Sequence, residues 1–188
     1  MVTGRPLDEL KDVFPALSLF DIVVAENGGL LYDPGTDTSR PLAPEPSEAF
    51  VARLRQRGVD ELAVGRTIVA THVGHHQAIR ETITEMALDL EIILNTDALM
   101  VLPAGIDKAS GLLTALGELS ISPAAVTGLG DADNDIAFLR QCGCAIAVAN
   151  ALPQVKQIAT RVTEGARGAG VEEFIASVLA VAPRYLLT

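Results

Sequence analysis

Three carboxylates and an amide crowd the stretch T-G-L-G-D-A-D-N-D-I-A-F-L, residues 127–139. Asp131, Asp133, Asn134 and Asp135 follow an apolar run ending at Leu129 and a turn glycine, Gly130. In an open α/β sheet the crevice at the carboxyl ends of the strands is where ligands bind, so acids there are placed for chemistry. Hard oxygen ligands clustered at such a point favour Mg²⁺. Two plainer readings compete. The D-x-D-x-D spacing also opens a calcium loop, but Ile136 stands at the sixth position, where that loop needs Gly, and Cys142 at the twelfth, where it needs Glu. Alternatively Asp133 caps the helix that begins there. Capping alone does not account for Asp131 directly after the turn glycine.

Other chemistry-bearing residues follow strand ends. Lys108, in L-P-A-G-I-D-K-A-S-G-L, falls on the first turn of a helix, where the helix dipole prefers acids. A solvated surface lysine is the simplest reading, and neutralisation of a bound phosphate or carboxylate is the alternative. Thr3-Gly4-Arg5 offers a hydroxyl and backbone N–H groups ahead of a helix, a simple anion site. Asn150, in A-V-A-N-A-L-P, fits a structural Asx-turn. His72, His75 and His76 lie where a strand gives way to a helix. A metal pair at His72 and His76 needs continuous helix, against which Gly74 argues, so substrate contact from a loop is the better reading.

The elements that position these residues alternate. Strands are expected at Asp21–Ala25, Thr67–Thr71, Glu91–Leu94, Ala98–Leu102, Ala125–Leu129 and Ala145–Val148. Helices are expected from Pro6, over Ser47–Arg57 with Gly58 as the stop, and over His76–Leu88, Lys108–Leu119, Ala132–Gln141, Pro153–Ala159 and Val171–Val181. Such alternation predicts an α/β fold with a mostly parallel sheet. Pro34–Pro46, with four prolines, is the one linker-like passage. It marks an insert at 33–97, which divides the chain into a discontinuous core of 1–32 and 98–188 and one smaller domain.

Composition narrows the partners. The 188 residues are 49% hydrophobic and carry a net charge of −10, which repels nucleic acid and anionic membrane. An anionic ligand must therefore be held locally, by a metal ion, a lysine or backbone N–H groups. No apolar run approaches the roughly 18 residues that span a bilayer, and a cytoplasmic location is the default. Cys142 and Cys144 suit neither a C-x-x-C pair nor a zinc knuckle and read as small buried hydrophobes.

Taken in order, V-T-G-R-P-L, A-E-N-G-G-L-L-Y-D, an insert, L-P-A-G-I-D-K-A-S-G-L, G-L-G-D-A-D-N-D and A-V-A-N-A-L-P-Q-V-K resemble the haloacid dehalogenase superfamily. The resemblance covers essentially the whole chain. It is to the branch with an α/β cap between the second and third motifs, which includes the Cof-type, sucrose-phosphate and archaeal phosphoglycolate phosphatases. It implies a Rossmannoid parallel-sheet core with an inserted α+β cap at 33–97, and a Mg²⁺-dependent phosphatase acting on a small phosphorylated metabolite. By resemblance, Thr3 and Gly4 bind the transferring phosphoryl group, and Lys108 offsets charge on nucleophile and phosphate. Asp131 and Asp135 serve the metal, while Asn134 and Asn150 border the phosphate. Glu26, Asn27 and Gly28 match the hinge into the cap, and Arg66, His75 and His76 are cap candidates for substrate contact.

The resemblance also implies a first motif, D-x-D-G-T/S, carrying the nucleophilic aspartate, and these 188 residues contain none. The expectation is a missing strand and helix, on the order of 30–40 residues of a βαβ unit. A chain without them is expected to be inactive alone, and its exposed sheet edges predict self-association. The alternatives are a non-catalytic Mg²⁺- or phospholigand-binding remnant, an oligomerisation module, or one part of a split enzyme.

Overall fold

The computed structural model describes residues 1–95 and 97–181. The chain divides into two units, Met1–Ile121 and Ser122–Thr188.

The first unit opens with α1 (Leu7–Val13), followed by an antiparallel sheet of β1 (Val23–Ala25), β2 (Leu30–Asp33) and β3 (Thr38–Pro41) in that order. A parallel bridge joins Val2 to Val24. The hairpin of β2 and β3 overturns the linker expected at Pro34–Pro46. The Asp33 carboxylate accepts from the N–H of Gly35 at 2.8 Å and of Thr36 at 3.3 Å, and Asp37 takes a left-handed φ of 50°, so local turn chemistry closes a hairpin despite the prolines. Asp37 also accepts from the Tyr32 hydroxyl at 2.8 Å and pairs with Lys11 at 2.9 Å, which ties the turn to α1.

Residues 48–103 then form α2 (Glu48–Gln56), β4 (Ala63–Val64), β5 (Val69–His72), α3 (His76–Glu85), β6 (Leu90–Asn95) and β7 (Ala98–Pro103). Their four strands make an antiparallel sheet in the order β4-β5-β7-β6. Ser47 caps α2 by accepting from the Phe50 N–H at 3.2 Å, and Gly58, at φ +78°, ends it as expected. Phe50, Leu54, Ile79, Leu99 and Val101 build the core beneath α2 and α3. Residues 98–103, assigned by sequence to the core sheet, are an inner strand of this antiparallel one. Leu99 and Val101 face the helices, while Met100 and Leu102 meet Ile68 and Ile93 on the other face. Burial on both sides hides the alternation that would have marked the strand as antiparallel. The unit closes with α4 (Lys108–Glu118).

The second unit holds β8 (Thr127–Gly130), α5 (Ile136–Leu139), β9 (Cys144–Ala147), α6 (Pro153–Ile158), β10 (Arg161–Val162) and α7 (Gly168–Val181), with a parallel sheet in the order β10-β9-β8. The helix expected over Ala132–Gln141 is shorter: a 3₁₀ turn at Asp133–Asp135 precedes the single turn of α5. Cys142 and Cys144 are half-buried, and burial pushes the Cys142 thiol pKa up. Among the described residues, parallel pairing is confined to β8, β9, β10 and the Val2 bridge. The α/β class expected holds, with a parallel sheet in the second unit and an antiparallel one over residues 63–103, and the hairpin of β2 and β3 adds a further antiparallel pairing. No helix among these residues is long and apolar enough to cross a membrane.

Candidate active site

In the first unit the amino-terminal segment is zipped along β1. The Thr3 N–H donates to Val24 O at 2.8 Å, Asn27 N–H to Thr3 O at 3.0 Å, and Glu26 N–H to Arg5 O at 3.0 Å. The Thr3 hydroxyl oxygen accepts from the Arg5 N–H at 3.2 Å, which fixes its rotamer. Helix α1 starts at Leu7 with Pro6 at its cap, so Gly4 stands ahead of the helix.

Lys108 is the first residue of α4 and only 7% exposed, so the surface reading fails. Its helix end is fixed by a reciprocal cap. The Asp107 carboxylate accepts from Ser110 N–H at 2.8 Å, and Asp107 N–H donates to the Ser110 hydroxyl at 3.0 Å. The turn Glu26–Gly28 lies directly on this end. A Cβ on Gly28, at φ +106°, would stand 1.8 Å from Asp107 O, and one on Gly111 would stand 2.7 Å from Gly28 Cα.

The other candidates of this unit divide. Glu26 and Asn27 are each 1% exposed and both hold φ near +53°. The Glu26 carboxylate accepts from Arg66 N–H at 3.1 Å, Thr67 N–H at 2.7 Å and the Thr67 hydroxyl at 2.8 Å. Three donors of the 66–67 segment thus hold this carboxylate inside the first unit. Arg66 donates to the Ser39 hydroxyl at 2.9 Å and lines a cleft of about 530 Å³ with Pro6, Glu9, Lys11 and Val64. His72 ends β5 and pairs with Glu61 at 2.7 Å, whereas His75 and His76 are half-buried at the start of α3. The strand end and the 3₁₀ turn Val73–His75 separate His72 from the helix, as Gly74 suggested.

In the second unit the acidic loop is ordered by its own side chains. Asp135, 6% exposed, accepts from Asp131 N–H at 2.9 Å and Ala132 N–H at 3.1 Å. Asp135 thus ties the loop's own backbone, and the Asp133 carboxylate accepts from the Gln154 amide at 2.6 Å rather than capping the helix. Asp131 is exposed, with its carboxylate accepting from the Asn150 amide at 3.2 Å, and the Asn150 carbonyl accepts from Arg167 N–H at 2.7 Å. Asn150 thus braces Asp131. Asn134 sits half-buried between the two acids in sequence. Among the described residues no three His, Cys, Asp or Glu side chains converge as a metal cage. Mg²⁺ does not require one, since it keeps several waters and takes one or two carboxylates. An exposed Asp131 beside a backbone-anchored Asp135 fits that demand.

The first unit, taken by itself, offers a lysine buried at a capped helix start, and the second, taken by itself, an acidic loop braced by its own amides; both features suit a hydrolase of phosphate esters. The profile of the haloacid dehalogenase-like hydrolases matches residues 64–175, and the chain belongs to that family. It is 36% identical over 117 residues to Phosphoglycolate phosphatase 2 of Saccharolobus solfataricus, covering 62% of this chain and 49% of that protein. It is 31% identical over 188 aligned positions to the phosphoglycolate phosphatase of Methanothermobacter thermautotrophicus, covering 93% of this chain and 80% of the relative. The fold also resembles the sucrose-phosphatase of Synechocystis sp. PCC6803, solved with sucrose and phosphate, at TM-score 0.65 and 15% identity over 93% of this chain and 81% of that one. The resemblance read from the motifs is confirmed at the level of family and fold.

Sequence reasoning missed the tie between Glu26 and Thr67, for which no local pattern exists, and the brace between Asn150 and Asp131. It could have found the Asp107 cap, since D-x-x-S before an apolar run is an N-terminal signature.

Proposed function

We propose that this chain is a Mg²⁺-dependent phosphatase of small phosphorylated metabolites, with 2-phosphoglycolate the leading substrate. The substrate class rests on the phosphoglycolate phosphatases among its relatives. The observation that carries the reading is the buried Lys108 on a capped helix start, against which the Glu26–Gly28 turn is packed. Taken by itself, the first unit offers Lys108 to offset phosphate charge and the Thr3 hydroxyl and Gly4 backbone to bind phosphoryl oxygens; the second, taken by itself, offers Asn134 and Asn150 as phosphate-facing amides. Asp131 and Asp135 would hold the metal, which supplies charge neutralisation to the transferring group. We assign the division into core and cap as read from sequence, with the cap's return moved from 97 to 103 because β7 belongs to the insert sheet. Arg66 is the cap residue best placed for substrate, on the cleft it lines.

A second reading, a chain that binds Mg²⁺ or a phospholigand without turnover, is favoured by one observation: these residues contain no D-x-D-G-T/S. The test is phosphate release from 2-phosphoglycolate and from an aryl phosphate, by the chain alone and with a segment bearing that motif supplied. No release alone and Mg²⁺-dependent release with the segment is the expected result. Release by the chain alone that Asp131→Ala abolishes would mean that a nucleophile outside that motif is recruited.

A further inference from the structure

Glu26 is a buried carboxylate that the proposed chemistry does not use, held where an ordinary side chain is unwelcome. Glu26 and Asn27 both carry positive φ, a conformation that persists only when surrounding contacts over-determine it. Those contacts run in three directions from one turn. The carboxylate takes three donors of the 66–67 segment: its two backbone N–H groups and the Thr67 hydroxyl. The backbone of the same turn donates from Glu26 to Arg5 O and from Asn27 to Thr3 O. Its glycines lie against what they join. A Cβ on Gly28 would meet Asp107 O at 1.8 Å and Lys108 N at 3.1 Å, and one on Gly29 would meet the Thr67 hydroxyl at 2.0 Å. Gly65, on the far side, leaves room for the Glu26 carboxylate itself, which a Cβ there would approach to 2.7 Å.

We infer that Glu26 is a positioning residue: its carboxylate locks the insert's 65–67 turn to the turn that sets Thr3 and Lys108, so that Arg66 and the two phosphate residues keep one geometry. That the positioned residues serve phosphate rests on the proposed function; the lock itself does not. A carboxylate suits the task because it accepts all three hydrogen bonds and donates none, whereas the amide of Gln presents two N–H donors to groups that are themselves donors.

The test compares wild type, Glu26→Gln and Thr67→Val by amide hydrogen exchange resolved by NMR and by calorimetric titration with inorganic phosphate. In Glu26→Gln, exchange should quicken at residues 66 and 67 and also at positions 26 and 27, and phosphate affinity should fall by about tenfold, the lower end of what loss of an orienting partner costs a liganded site. Thr67→Val removes one donor of three and should shift both readouts the same way by less. It decides the question if Glu26→Gln does not fold. Faster exchange confined to 66 and 67 with phosphate affinity unchanged would overturn the inference, as would no change in exchange at all. If wild type binds no phosphate, the proposed function fails, while the exchange pattern still decides whether Glu26 locks the two turns.

Discussion

Gly28→Ala is expected to be among the most damaging single-methyl additions in the chain. Two costs add. At φ +106° the backbone is one that a residue with a Cβ rarely adopts, which costs on the order of 1–3 kcal/mol. The new Cβ would stand 1.8 Å from Asp107 O and 2.4 Å from Asp107 C, so relief must move backbone on the capped end of α4, a further ~1–3 kcal/mol of overpacking. The total is about 2–6 kcal/mol, read as a fall in the urea midpoint at unchanged slope. Two controls separate the terms. Gly58→Ala, at φ +78° with open space around it, carries only the backbone cost, while Gly117→Ala, helical and also open, should stabilise by ~0.5–1 kcal/mol. If Gly28→Ala is no worse than Gly58→Ala, the close approach to α4 is wrong, and with it the account of how Lys108 is placed.

Further outcomes follow from single side chains. Asp135→Ala strips the acceptor from the N–H groups of Asp131 and Ala132, each worth ~1–3 kcal/mol when left unmet; urea unfolding should show a loss in that range or above, and exchange at those two amides should quicken. Ser47→Ala removes the α2 cap and should cost ~1 kcal/mol, a fall of about 2–4 °C in Tm. Hydrogen bonds from Arg57, then Arg53, hold the Glu85 carboxyl below the usual range. A lowered folded pKa stabilises above the unfolded value and is lost as pH falls through the folded one. Stability of wild type and Glu85→Gln should therefore differ by a constant amount above about pH 5 and converge at lower pH; a gap that persists into acid would refute the pairing.

What the sequence made legible was the local pattern. All six strands expected from short apolar runs are present, and Gly58 and Pro153 mark helix boundaries as their chemistry dictates. The hairpin of β2 and β3 was hidden because its prolines lie at a strand end and in the turn, where they cost little, while the Asp33 and Asp37 turn contacts leave only a weak trace in sequence. The pairing of β7 was hidden because both its faces are buried. In the site, acids and lysine after strand ends were readable by type and place. Lys108 was not readable as buried, because the turn 26–28 packed on the start of its helix lies some eighty positions away in sequence. The hold of Thr67 on Glu26 was not legible because a carboxylate in a hinge turn carries no sign of donors some forty positions away.

The most direct test of the central claim is calorimetric titration of Mg²⁺, in the presence of inorganic phosphate, into wild type, Asp131→Ala and Lys108→Ala. The account predicts saturable Mg²⁺ binding that Asp131→Ala weakens at least about tenfold, with Lys108→Ala as the control for a substitution outside the acidic loop. Mg²⁺ binding that Asp131→Ala leaves intact would contradict it.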